Sequence, residues 1–231
     1  MFEVNKMANN DEKQTSSSKV NGFLEKNRIA FISILVAVIV CLAGYIVFSA
    51  VSNSTKEKNL GTIEEITYTL TEGSSDLEEG ELNARRIDAL DKLQAFVKKG
   101  GITGARANYL CAELSYQMEK YEDAVTYYKA TANKAKKTYL EPIANYNLGV
   151  CYEQLNKIDD AVKFYKLAAD SKVFTLVPHA KFSYARAVEA SGNKAEAITA
   201  YTELYDSYPN DNWGKLAKTR LIAIKAEGKS E

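Results

Sequence analysis

The sequence predicts an all-α protein: one transmembrane helix followed by an α-solenoid of paired helices. Three observations carry that expectation. Between Ile29 and Val51 the chain runs IAFISILVAVIVCLAGYIVFSAV without a charge. Farther on, Ala124, Ala161 and Ala197 recur 37 and 36 residues apart, and each is followed four positions later by a tyrosine, Tyr128, Tyr165 and Tyr201. Three prolines and 15 tyrosines among 231 residues favour packed helices over a sheet or a disordered chain.

The apolar run comes first. Its 23 residues, at about 1.5 Å rise each, extend roughly 34 Å, enough to cross a hydrocarbon core of about 30 Å with some tilt. A secretory signal has a shorter apolar centre, about 7–15 residues, although Ala50-Val51-Ser52 would pass as a weak cleavage site. A lipoprotein signal needs a small residue before its cysteine, and Val40 before Cys41 is not one. Lys26 and Arg28 precede the run closely and Lys56 and Lys58 follow it, a balance that slightly favours an inside N-terminus and an outside C-terminal part. Residues 1–28 are polar and aperiodic and read as a disordered cytoplasmic tail, with MANNDEK from Met7 resembling an ordinary bacterial start. Residues 29–51 are then the transmembrane helix, 52–80 a linker with a degenerate start, and 81–231 the repeat domain.

The repeats have a physical logic. Two antiparallel helices approach closely only where small residues meet, and large apolar residues one turn away fill the gap to the next pair. Ala124, Ala161 and Ala197 supply the small contact on each second helix, and Ala112, Gly149 and Ala185 supply it on each first helix. Tyr128, Tyr165 and Tyr201 fill the space between pairs. Each unit exposes an apolar face that only its neighbour covers, so the pairs stack. Upstream, Ala89, Leu93 and Phe96 repeat the second-helix pattern, and Gly100-Gly101 ends that helix with a left-handed cap. The first half of this leading unit, GTIEEITYTLTEGSSDLEEGE, has little helical pattern. Downstream, Trp213, Leu216, Ala217, Leu221 and Ile224 form the apolar stripe of a capping helix, with Asp211 or Asn212 as its N-cap.

These residues resemble the tetratricopeptide repeat. Leu148, Gly149, Tyr152, Ala161, Tyr165 and Ala168 fall at family positions, as do Gly192, Ala197, Tyr201 and Pro209 in the next unit and Ala112, Tyr121, Ala124 and Tyr128 in the one before. Ser115 and Thr131 depart from the pattern, and the spacing exceeds the usual thirty-four or so. The resemblance implies about three clear repeats whose first helices line a concave face. By family position, Arg106, Tyr109, Glu113 and Tyr116 face inward from the first unit. Tyr146, Asn147, Val150 and Glu153 do so from the second, and Phe182, Ser183, Arg186 and Glu189 from the third. Aromatics mixed with charges suit an extended or helical peptide. A clamp for a C-terminal carboxylate is not implied, because Tyr109 and Glu113 stand where that clamp uses lysine and asparagine.

Other chemistry is not indicated. Thirty basic and 30 acidic residues leave no surplus for nucleic acid. Cys41, Cys111 and Cys151 form no CxxC, no cluster with the single His179 and no disulfide framework. His179, after Pro178, is expected to be solvated or capping. Asp159 and Asp160 suit the positive start of a helix. No GxxxxGK[ST], GxGxxG, HExxH or GxSxG motif occurs, so no catalytic residue, cofactor, metal or small-molecule substrate is expected.

The layout as a whole, tail, single helix, linker and repeats, resembles the ancillary periplasmic subunits of the bacterial Sec translocon. That resemblance implies a single-pass inner-membrane protein whose repeats lie in the periplasm and bind translocon subunits, chaperones or envelope proteins. A scaffold for another envelope complex (outer-membrane assembly, cell wall or division) and an organellar import receptor are the alternative readings.

Overall fold

The computed structural model describes residues 21–227. Of the tail expected over 1–28, residues 1–20, with Met7, lie outside the described residues, and 21–26 are helical. The chain divides into two compact units, Met1–Glu57 and Lys58–Glu231.

The first unit is dominated by helix α1 (Arg28–Thr71), which runs on into the second. It is long and apolar enough to cross a membrane, and its apolar stretch is covered by no other part of the described chain. Ile29 is 75 % exposed and Phe48 72 %. Cys41 is exposed on the same helix.

The second unit begins with the end of α1 and continues through α2 (Glu79–Val97), α3 (Gly101–Gln117), α4 (Tyr121–Lys134), α5 (Leu140–Gln154), α6 (Ile158–Ala169), α7 (Val177–Ala190), α8 (Lys194–Ser207) and α9 (Asn212–Glu227). It has no strand among the described residues. The helices pair in order, α3 with α4, α5 with α6 and α7 with α8, and each pair packs on the next.

The alanine frame sits at the crossings. Ala112, Ala124, Ala161, Ala185 and Ala197 have no exposed surface. At Gly149 even a methyl group is excluded, since a Cβ there would lie 2.6 Å from the Tyr165 ring. Tyr128, Tyr165 and Tyr201 are buried as expected, at 2 %, 1 % and 1 % exposure. Within each pair the first helix closes in the same way. Glu119, Asn156 and Gly192 adopt left-handed φ values of 59°, 55° and 88°. The next amide reaches back five residues, from Lys120 to Ser115 O, Lys157 to Tyr152 O and Asn193 to Val188 O. This double closure satisfies the last carbonyls of each helix.

Residues 52–71, in the stretch expected as a linker with a degenerate start, continue α1, and the second compact unit runs from Lys58. Ile63 and Ile66, one turn apart, are buried against Ala89, Leu93, Ala107, Cys111 and Leu114, so tertiary burial holds a threonine-rich segment helical. Two expectations need correction. Gly101, not Gly100, is left-handed (φ 58°), and it opens α3 instead of closing α2. Leu216 is 47 % exposed and lies off the stripe of α9, while Ala217, Leu221 and Ile224 are buried. The N-cap of α9 is Asp211, whose Oδ1 accepts from the Trp213 amide at 2.8 Å. Asp159 and Asp160 stand in the first turn of α6.

Candidate partner-binding face

The first helices carry the twelve inward-facing candidates. Arg106, Tyr109, Glu113 and Tyr116 lie on α3, Tyr146, Asn147, Val150 and Glu153 on α5, and Phe182, Ser183, Arg186 and Glu189 on α7. Packing brings α3 beside α5 and α7 beside α9, and hydrogen bonds join α5 to α7.

A repeated polar device connects these helices. In each repeat a glutamate of the first helix accepts from the hydroxyl of the buried second-helix tyrosine. Tyr128 donates to Glu113, Tyr165 to Glu153 at 2.6 Å, and Tyr201 to Glu189 at 3.0 Å. A residue from the following first helix then donates to the same carboxylate. For Glu153 this is Arg186 at 2.7 Å. For Glu189 it is Arg220 of the capping helix, through Nε at 2.9 Å. For Glu113 it is Asn147, at 3.1 Å, which also donates to the Tyr128 hydroxyl at 3.2 Å. Buried hydroxyls need such partners, because a lone one costs about 1–3 kcal/mol. Burial, aided by the neighbouring carboxylate, pushes the tyrosine hydroxyls well above their usual range, so they act as donors. The hydrogen bond from Arg220 holds Glu189 below the usual carboxylate value.

The two ends of the face differ in what remains open. Toward the C-terminus, Phe182 packs its ring 5.3 Å from Trp213 and 5.7 Å from Tyr201. Ser183 is buried and shares a 3.2 Å hydrogen bond with Tyr146. His179, expected to be solvated or capping, is half-buried and tied into the face instead. It stacks on Trp213 at 4.0 Å and bonds the Tyr146 hydroxyl through Nε2 at 2.8 Å. Burial, then the charge of Arg186, lowers its pKa below the usual 6.5.

Toward the N-terminus the face stays hollow. A cavity of about 520 Å³ lies between the end of α1, α3 and the start of α5. Ile63, Tyr68, Tyr109, Leu110, Tyr139 and Ile143 line it, and the 2.9 Å ion pair of Arg106 with Glu64 stands at its wall. A second hollow of about 150 Å³ is lined by Glu113, Tyr116, Tyr128, Asn147 and Val150. Among the candidates, Arg106 and Tyr109 thus line the larger hollow, and Glu113, Tyr116, Asn147 and Val150 the smaller. The helix-borne Ile63, Glu64 and Tyr68 were missed. The spacing of Ile63 and Ile66 was the available signal, but the surrounding threonines weakened it.

Cys111 and Cys151 are free and fully buried, and burial pushes both thiols up to about 12. Among the described residues no group of three or more His, Cys, Asp or Glu side chains stands together to hold a metal ion.

Known proteins agree with this geometry. The family model of the tetratricopeptide repeat matches residues 109–172 and 172–212. A TPR repeat-containing protein of Treponema pallidum (strain Nichols) is 29 % identical over 130 residues, covering 56 % of this chain and 54 % of that protein. The chain therefore spans about half the length of this relative. Among solved structures, a Podosopora anserina protein described as a kinesin light chain with nearly identical TPR-like repeats has a TM-score of 0.56 at 11 % identity, over 75 % of this chain and 89 % of that one. A single-substitution variant of it gives the same score over 75 % and 88 %. At that identity the likeness concerns the fold alone. Residues 109–212 thus resemble tetratricopeptide repeats within a TPR-like helical solenoid, an architecture that typically serves as a non-catalytic scaffold binding proteins or peptides. The matched residues begin at Tyr109, so the leading pair built on Ile63, Ile66 and Leu93 stands outside the match.

Proposed function

We propose that this protein is a membrane-anchored docking module of the bacterial cell envelope, which holds a peptide segment of a partner protein against the first helices of its repeats. The observation that carries the reading is the 520 Å³ hollow walled by Tyr68, Tyr109, Leu110, Tyr139 and Ile143. Apolar and aromatic walls with a few polar groups at the edge suit an apolar anchor side chain. The exposed apolar stretch of α1 supports anchoring in a bilayer, since an unpartnered helix of this kind is stable only in lipid. The N-terminus is then cytoplasmic and the repeats periplasmic, with the partner drawn from translocon subunits, chaperones or secreted chains.

Photocrosslinking in intact cells tests the reading. A photoreactive residue replaces Tyr109 or Ile143, and a control replaces the exposed Leu167 on the second helix α6. Capture of secretion components, periplasmic chaperones or unfolded secreted chains from the first two positions supports it. Capture of one stable envelope complex moves the assignment to a structural scaffold. Capture only from position 167 removes the proposed face.

A further inference from the structure

Each of the three rungs joins a first-helix glutamate to a second-helix tyrosine, but the leading one spans 15 residues against 12 in the other two, and it lacks a cation. Glu153 receives Arg186, and Glu189 receives Arg220. Glu113 instead receives Asn147 from the following first helix, which is neutral and shorter. Among the described residues, no lysine or arginine pairs with Glu113. The ion pairs there join Arg86–Glu79, Lys92–Asp88, Arg106–Glu64, Arg186–Glu153, Arg220–Glu189 and Arg220–Glu227. Glu113 is half-buried, and the space that a longer side chain would fill is the 150 Å³ hollow.

We infer that Glu113 is the receptor for a basic side chain, foremost arginine, projected by the bound partner peptide, so that the partner supplies in trans the guanidinium that the chain supplies to its other two rungs. The inference rests on the docking role proposed above. Charge complementarity selects the occupant. A half-buried carboxylate whose donors are all neutral keeps its charge uncompensated, and a guanidinium meets it with charge-assisted hydrogen bonds. The walls are suited to the same group. Tyr116 and Tyr128 border the hollow, and guanidinium planes stack on aromatic faces more readily than ammonium groups do. Tyr109 lines the larger cavity, and its ring stands 5.9 Å from that of Tyr128 on the smaller one. A peptide with an apolar residue near an arginine therefore engages both hollows.

The test is selection of peptides from a random library on the full-length protein in detergent micelles, beside the Glu113→Gln and Asn147→Arg variants. Glu113→Gln keeps an acceptor for the Tyr128 hydroxyl, and Asn147→Arg closes the rung from within, so both should retain the fold, as checked by circular dichroism. The expected outcome is enrichment of arginine at one position beside an apolar residue with the natural protein. Both variants lose that enrichment while still selecting apolar residues. A selected peptide should bind the natural protein about tenfold more tightly than its citrulline analogue, a difference that Glu113→Gln removes. Peptides that bind without any basic preference, or with one that survives Glu113→Gln, overturn the inference and leave the docking role standing. Selection of no peptide at all overturns both.

Discussion

The two ends of the repeat array use one architecture and leave different surfaces. From α7 to α9 the inner face is filled by its own side chains. His179 stacks on Trp213, Phe182 packs against both Trp213 and Tyr201, and Arg186 and Arg220 neutralise Glu153 and Glu189. From the end of α1 to α5 the same positions line two hollows, and the rung at Glu113 closes on a neutral asparagine. The repeat frame decides where side chains point. The identity of a few residues on that frame decides whether the surface is finished or left for a partner.

Substitutions at the leading end should show the larger effects. The strongest concerns folding. A Cβ on Gly104 would lie 1.8 Å from the Lys99 carbonyl oxygen. Gly104→Ala must displace backbone at the α2–α3 junction and should cost about 3 kcal/mol, read as a lowered melting temperature. Next comes binding. Tyr109→Ala and Ile143→Ser should weaken a captured partner about tenfold or more, as truncation of buried anchors does. His179→Gln, at the filled end, should leave that affinity unchanged in the same titration.

Converting one end into the other sharpens the contrast. Asn147→Arg gives the leading rung a cation, as its counterparts have. It should raise stability by up to about 1 kcal/mol in thermal melts, a modest gain because the pair stays partly solvated, while abolishing any preference for basic peptides. The turn residues offer a similar exchange. Glu119 holds a left-handed φ that Gly192 adopts freely in the third repeat. Glu119→Gly should stabilise the chain and Gly192→Ala destabilise it, each by about 1 kcal/mol.

The smallest expected effect is a titration at the filled end. Burial and Arg186 hold the His179 pKa below 6.5. The unfolded chain therefore takes up this proton first, so stability is full above pH 6.5 and declines as the pH falls from there toward the lowered native value. The Glu189 pKa is likewise lowered, first by the hydrogen bond from Arg220. Its contribution is present above the usual carboxylate value of 4.5 and is lost as the pH falls through its native value. Trp213 is the only tryptophan, so its fluorescence should report protonation of the stacked imidazole, with a midpoint below 6.5 that His179→Gln abolishes.

The contrast also marks what the sequence discloses. The alanine–tyrosine frame was legible because it recurs at a nearly constant interval, and Ala124, Tyr128, Ala161, Tyr165, Ala197 and Tyr201 are buried as that interval requires. The Asp211 cap was legible because capping is local. The helical course of residues 52–71 was not, because Ile63 and Ile66 gain their burial from α2 and α3, distant in sequence. The rungs were hidden for the same reason, since they join residues 12 to 34 positions apart. A signal existed in the equal spacing of Glu153 to Tyr165 and of Glu189 to Tyr201, but a glutamate on a helix reads as a solvated charge until its tyrosine is placed beside it. Arg186 and Glu189 thus belong to intramolecular rungs, whereas Tyr109 and Glu113 border open space.

Hydrogen–deuterium exchange on the full-length protein, with and without a peptide selected on it, tests this division most directly. Binding at the open end should slow exchange in 101–117 and 140–154 and in the end of α1, with 177–227 unchanged. Protection concentrated in 177–227, with none in α3 and α5, would contradict it.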